Sequence, residues 1–150
     1  MDLARFGNLA HGDAERLAAA LTEAAREWPS PRLRLAGCAT AEAEDDPSVW
    51  VELAGDLDVL GEVVRGVPRS AADLRLYVDR RVFQPTIRLG TVNPDTSVEH
   101  LEPLLTELAA FEGTPWQQDS VSLLTHADRG PGAPPFKTYA EIALGQGLRP

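Results

Sequence analysis

Thr86 and Arg88, preceded by Gln84, occupy the stretch RVFQPTIRLGTV at residues 81–92. The stretch alternates: Gln84, Thr86 and Arg88 fall on one side of an extended chain, Ile87 and Leu89 on the other. Strand side chains repeat every two residues, so a hydroxyl and a guanidinium at this spacing project together. A guanidinium is a bidentate partner for phosphate. It is permanently charged, so it cannot shuttle a proton. A threonine hydroxyl without an activating partner does not act as acid and base near neutrality. The group Gln84, Thr86 and Arg88 is therefore a set of phosphate-binding candidates without the means to cleave. The same residue types fit a second reading, in which the face is solvated and Arg88 pairs with one of the chain's 23 Asp and Glu residues.

Imidazoles are the usual acid–base groups for phosphoryl chemistry, because their pKa lies near neutrality. The three histidines stand in His11-Gly-Asp, His100-Leu-Glu and His126-Ala-Asp, and none has a hydroxyl two residues on. His11 is expected in a turn, His100 on a helix and His126 at a strand end, in surface or capping roles. The sequence has no Gly-rich phosphate loop, no Gly-x-Ser-x-Gly and no metal-ligand spacing of Cys and His. No metal or cofactor is expected. Arg80 and Arg81 are expected at a solvated strand entrance, and Trp28, Trp50 and Trp116 in the core.

The net charge of −9, with Lys137 the single lysine among 150 residues, argues against broad binding to nucleic-acid backbones. It leaves room for a local site, since electrostatics in a cleft are local. One cysteine, Cys38, excludes an internal disulfide and fits a reducing compartment. MDLARFGN is not a signal peptide, and no apolar run approaches the roughly 20 residues of a membrane helix. These features lead to the expectation of a cytoplasmic protein with no membrane association.

The elements that would position these residues follow from pattern. A strand tail is expected at 3–6, then a helix over 14–27 capped by Asp13, with Leu17, Leu21, Ala24 and Trp28 on one face. Strands are expected at 33–39 and 49–54, joined by an acidic loop. A short helix should follow Asp56 and end at Gly66, ahead of Pro68. Weak strand character at 74–78 precedes the strand at 83–92. A helix occupies much of 98–111, kinked at Pro103 or starting near it. Strands at 121–125 and within 136–144 flank the loop ADRGPGAPP.

Residues 3–39 and 87–126 share one layout: strand, Asn-containing turn, helix, Pro-marked loop, strand. Leu-Thr-Glu recurs mid-helix at Leu21–Glu23 and Leu105–Glu107. This layout predicts an internal repeat within a single domain spanning 1–150.

With that order of elements, the chain resembles the two-histidine (2H) phosphoesterases, the 2′–5′ RNA ligase-like family, over nearly all its length. In that family each half gives a strand carrying His-x-Thr/Ser. The second commonly reads like RPFxPHLTLAR, and RRVFQPTIRLGTV stands in its place. The first commonly reads like HLTLARFG before a long helix, and MDLARFGN stands in its place. The resemblance implies an α+β fold of two pseudo-symmetric lobes, with antiparallel strands, helices outside and a central cleft. Carried over, Thr86 holds the second His position, Arg88 its Thr/Ser position and Asp2 the first Thr/Ser position. The first His falls before Met1, so the start is expected to be truncated or shed. The implied function is a relative of the 2′,3′-cyclic phosphodiesterases that has lost catalysis and keeps a phosphate, nucleotide or RNA-end site. The alternatives are an active phosphodiesterase using substituted residues and an acidic module that meets a protein partner.

Overall fold

The computed structural model describes residues 1–41, 48–79, 82–93, 95–126 and 135–145. The acidic run at 42–47, Arg80 and Arg81, Pro94 and the loop 127–134 lie outside the described residues. The order of elements is α1 (His11–Ala24), β1 (Arg32–Ala41), β2 (Ser48–Gly55), α2 (Leu57–Asp73), β3 (Thr86–Thr91), α3 (Val98–Ala109), β4 (Trp116–Gln117), β5 (Ser120–His126) and β6 (Phe136–Ala143). The architecture is α+β with antiparallel strand pairing throughout, as expected. The chain divides into two compact units.

The first unit comprises Met1–Asp2, Arg32–Leu57 and Val82–Gln117. It holds a four-stranded sheet in the order β3-β2-β1-β4, with α3 packed on β1. Along β2, Val49, Val51 and Leu53 are buried, whereas Trp50 is half-buried and Glu52 exposed. One face of the sheet is therefore a hydrophobic layer and the other is open. Leu33 of β1 joins the buried layer at 1% exposure. β2 ends at Gly55, whose φ of +113° only glycine adopts readily; a Cβ there would collide with the Arg32 carbonyl oxygen. β4 is a two-residue strand that the sequence pattern did not announce; it is recognisable only through its partners, Arg32 and Leu33.

The second unit comprises Leu3–Pro31, Asp58–Arg81 and Gln118–Pro150. Its core gathers Leu17, Leu21, Ala25 and Trp28 with Val63, Val67 and Ala71 of α2 and Ile142 and Leu144 at the end of the β5-β6 hairpin. Each such aliphatic side chain contributes about 1.5–3 kcal/mol on burial. α1 starts at His11 rather than 14, with Ala10 as its N-cap. Asp13 is in the first turn instead, bonded to Arg16 at 3.0 Å.

Three elements differ from expectation. α2 runs on through Gly66 and Pro68 to Asp73, because its inward row of Leu60, Val63, Val67 and Ala71 continues unbroken past both. Burial of that row offsets the lost N–H of Pro68. Gly66 is no terminator: its bare Cα lies against the Trp28 indole, where a Cβ would approach within 2.5 Å. α3, by contrast, occupies Val98–Ala109 within the expected 98–111 and contains Pro103. Residues 3–6 and 76–78 belong to no strand, and Leu74 and Arg75 form a turn. Leu3, Ala4, Phe6, Leu74, Leu76 and Val78 pack on the core, and the Asp79 N–H donates to the Arg5 carbonyl at 2.8 Å. The alternating pattern there reports burial, without a ladder. The two stretches of the expected repeat each cross between units, at Pro31/Arg32 and Gln117/Gln118.

Candidate functional site

β3 begins at Thr86, not Phe83, so Gln84 precedes the strand. Pro85 causes this. It has no N–H for a ladder, and the Thr86 N–H turns back onto the Gln84 carbonyl at 2.8 Å. The Pro85 carbonyl still joins β2, accepting from the Leu53 N–H at 2.8 Å.

From Thr86 to Arg88 the register is regular, and it shifts between Trp50 and Val49. Thr86 lies directly opposite Glu52, Ile87 opposite Val51 and Arg88 opposite Trp50. Residues opposite one another share a face, as do residues two apart. Trp50, Glu52, Thr86 and Arg88 thus form a two-by-two patch on the open face, while Val51 and Ile87 project to the other side. Arg34, opposite Ala54 in the next strand, shares that open face and is held by Glu112 at 2.7 Å.

Arg88 is exposed. Its guanidinium carbon stands 6.0 Å from the centroid of the Trp50 ring, and its Nη2 donates to Thr91 Oγ1 at 2.8 Å. These contacts preorient the fork on the open face. The indole Nε1 of Trp50 is buried and without a hydrogen-bond partner among the described residues.

Beside Thr86 lies a cavity of about 390 Å³ lined by Glu52, Leu53, Leu57, Gln84, Pro85 and Thr86. Gln84 and Thr86 therefore meet again in one lining, although Gln84 is out of strand register. Arg88 lies one strand repeat farther along β3, about 7 Å from Thr86 at the usual rise. Thr86 is half-buried; Glu52 and Gln84 are exposed.

Asp2 is exposed, outside any strand, and does not line the cavity. The imidazoles are elsewhere. His11 opens α1 and meets Glu15 at 3.3 Å, with its ring 6.3 Å from that of Tyr139. His100 bonds Ser97 through Nδ1 at 2.7 Å, and His126 rests its ring on Phe136 at 4.8 Å. Of the tryptophans expected in the core, Trp28 is buried there, Trp50 half-lines the open face, and Trp116 is half-buried in β4. Among the described residues no group of His, Cys, Asp and Glu is arranged to hold a metal, and no helix is long and apolar enough to cross a membrane.

Glu52 and Trp50 are the residues that motif reading missed. Their signal was the alternation of VWVELA, which puts Trp50 and Glu52 opposite three buried aliphatics. What the local pattern lacks is the pairing that sets β2 beside β3.

No family model matches this chain, and no curated protein matches it. Among solved structures it is similar to TT0787 of Thermus thermophilus, with a TM-score of 0.68 and 17% sequence identity. The likeness covers 96% of this chain and 76% of that one. At that identity the likeness establishes a shared fold, and the chemistry must be argued from the residues of the open face.

Proposed function

We propose that this chain is a degenerate relative of the two-histidine phosphoesterases that binds a phosphate, as part of a nucleotide or RNA end, and does not cleave it. Three things support the reading. The sequence resembles that family in the order of its elements and around Thr86 and Arg88. The fold is similar to that of TT0787 of Thermus thermophilus over 96% of this chain. Above all, Thr86 and Arg88 share the open face of the sheet, opposite Glu52 and Trp50.

The chemistry follows from that arrangement. Arg88 brings five N–H donors in a fixed fork that matches phosphate oxygens. The Thr86 hydroxyl adds a neutral donor one strand repeat away. Hydrolysis of a cyclic phosphate would need a base on the attacking oxygen and an acid on the leaving one. That work typically contributes about 10²- to 10⁴-fold in rate. Neither Thr86 nor Arg88 performs it, and no histidine lines the cavity.

The test is calorimetric titration with nucleoside 2′,3′-cyclic monophosphates beside chromatography of the same mixtures. Binding without product is expected. Arg88→Ala should weaken it by about 1.5–3 kcal/mol, the usual worth of a hydrogen bond to a charged group. Turnover that disappears in Thr86→Ala or Arg88→Ala would instead establish an enzyme with substituted residues. Absence of any binding, with a protein co-purifying, would favour an interaction module.

A further inference from the structure

Resting on the nucleotide reading above, we propose that the cavity beside Thr86 selects guanine, through the Glu52 carboxylate. The lining supplies both parts of a base site. Leu57 and Pro85 give apolar surface for the faces of a flat ring. Glu52, Gln84 and Thr86 give polar edges, and none of the three side chains has a hydrogen-bond partner among the described residues. A volume of about 390 Å³ falls at the small end of the range for small-molecule pockets, roughly 300–1,000 Å³.

The donor and acceptor pattern decides between bases. An ionised carboxylate only accepts. It is matched by a ligand edge with two adjacent donors. Guanine has that edge, in N1–H beside the exocyclic N2 amine. Adenine and cytosine each put a ring acceptor beside their amine, which would face the second carboxylate oxygen lone pair against lone pair. Uracil offers one N–H between two carbonyls. The guanine O6 next to N1–H needs a donor in turn, and the Gln84 amide and Thr86 hydroxyl are the donors in the lining.

The placement of charge agrees. Glu52 faces Thr86, whereas Arg88 faces Trp50 one strand repeat away. Carboxylate and guanidinium thus mark separate ends of one patch, about 7 Å apart along the strand. A base at the first end and a phosphate at the second keep the two anions apart. The reverse placement would press a phosphate against Glu52.

The experiment is calorimetric titration of the full chain with guanosine, GMP, AMP and ribose 5-phosphate. It is repeated on Glu52→Gln and Arg88→Ala, with circular dichroism melts to show that each variant is folded. Wild type should prefer GMP to AMP by about 5- to 150-fold, the range that a bidentate base contact supplies. Glu52→Gln should abolish the preference and improve AMP, since an amide presents one donor and one acceptor to adenine. Guanosine, lacking phosphate, should keep its dependence on Glu52 and ignore Arg88→Ala. Equal affinity for GMP and AMP, or a preference that survives Glu52→Gln, would overturn the guanine assignment. Ribose 5-phosphate isolates the other claim: unchanged affinity in Arg88→Ala would remove the phosphate reading while leaving a guanosine site standing.

Discussion

Arg88 lies directly across the β2–β3 ladder from Trp50, its guanidinium carbon 6.0 Å from the indole centroid. The register enforces this contact, because opposite residues on one face have Cβ atoms about 4.5–5.5 Å apart. The arginine nearest the candidate site is therefore held by an aromatic wall before any ligand arrives. A double-mutant cycle with Arg88→Met and Trp50→Leu, followed by urea denaturation, should show a coupling of about 0.5–1 kcal/mol, the worth of an exposed cation–π pair.

Length of nucleic acid should not matter. The chain has a net charge of −9, and one arginine serves the proposed phosphate site. RNA oligomers should therefore bind no more tightly than a mononucleotide carrying the same end. A plot of log affinity against log salt should have a slope near −0.7, the value for about one neutralised phosphate on a single strand. A slope several times steeper, measured by fluorescence anisotropy, would reveal a broad basic surface.

The C-terminus of α2 carries a removable strain. Arg75 has φ +59°. The Leu76 N–H donates to Ala71 at 3.0 Å and the Arg75 N–H to Ala72 at 2.9 Å, the bonding pattern of a Schellman cap. Such a position favours glycine, since left-handed backbone costs other residues about 1–2 kcal/mol. Part of that gain is returned through the greater freedom of glycine in the unfolded chain. Arg75→Gly should raise stability by about 0.5–1 kcal/mol in thermal or chemical unfolding.

Gly66 carries the opposite prediction. In an ordinary exposed helix, Gly→Ala stabilises by about 0.5–1 kcal/mol. Here the new methyl would collide with the buried Trp28 ring at 2.5 Å. Gly66→Ala should therefore destabilise, by about 1–3 kcal/mol of overpacking. Unfolding midpoints for the two glycine variants should move in opposite directions.

Those two positions also show what a sequence can carry. The α+β class, the helix faces around Leu17 and Leu21 and most of the strands follow from apolar period, which records burial. Gly66 and Pro68 were misleading, because both are local terminators overruled by the buried row of α2. Residues 74–78 alternate for the same reason a strand does, yet they pack without a ladder. The shared orientation of Thr86 and Arg88 was legible from spacing alone. That Glu52 and Trp50 complete the patch was not, since strand pairing is a non-local outcome of folding. Gln84 shows both effects: Pro85 breaks its strand register, and the cavity brings it back beside Thr86.

Most depends on whether the face bearing Thr86 and Arg88 holds a phosphate that it cannot cleave. Phosphorus NMR of a nucleoside 2′,3′-cyclic monophosphate with excess protein reads both halves at once. The expected spectrum has a broadened or shifted cyclic-phosphate signal, stable over days, that returns to its free position when Arg88→Ala replaces the wild type. A new monoester signal growing in with the wild-type protein would show cleavage, and a cyclic signal that never moves would show that no phosphate is held; either rules the proposal out.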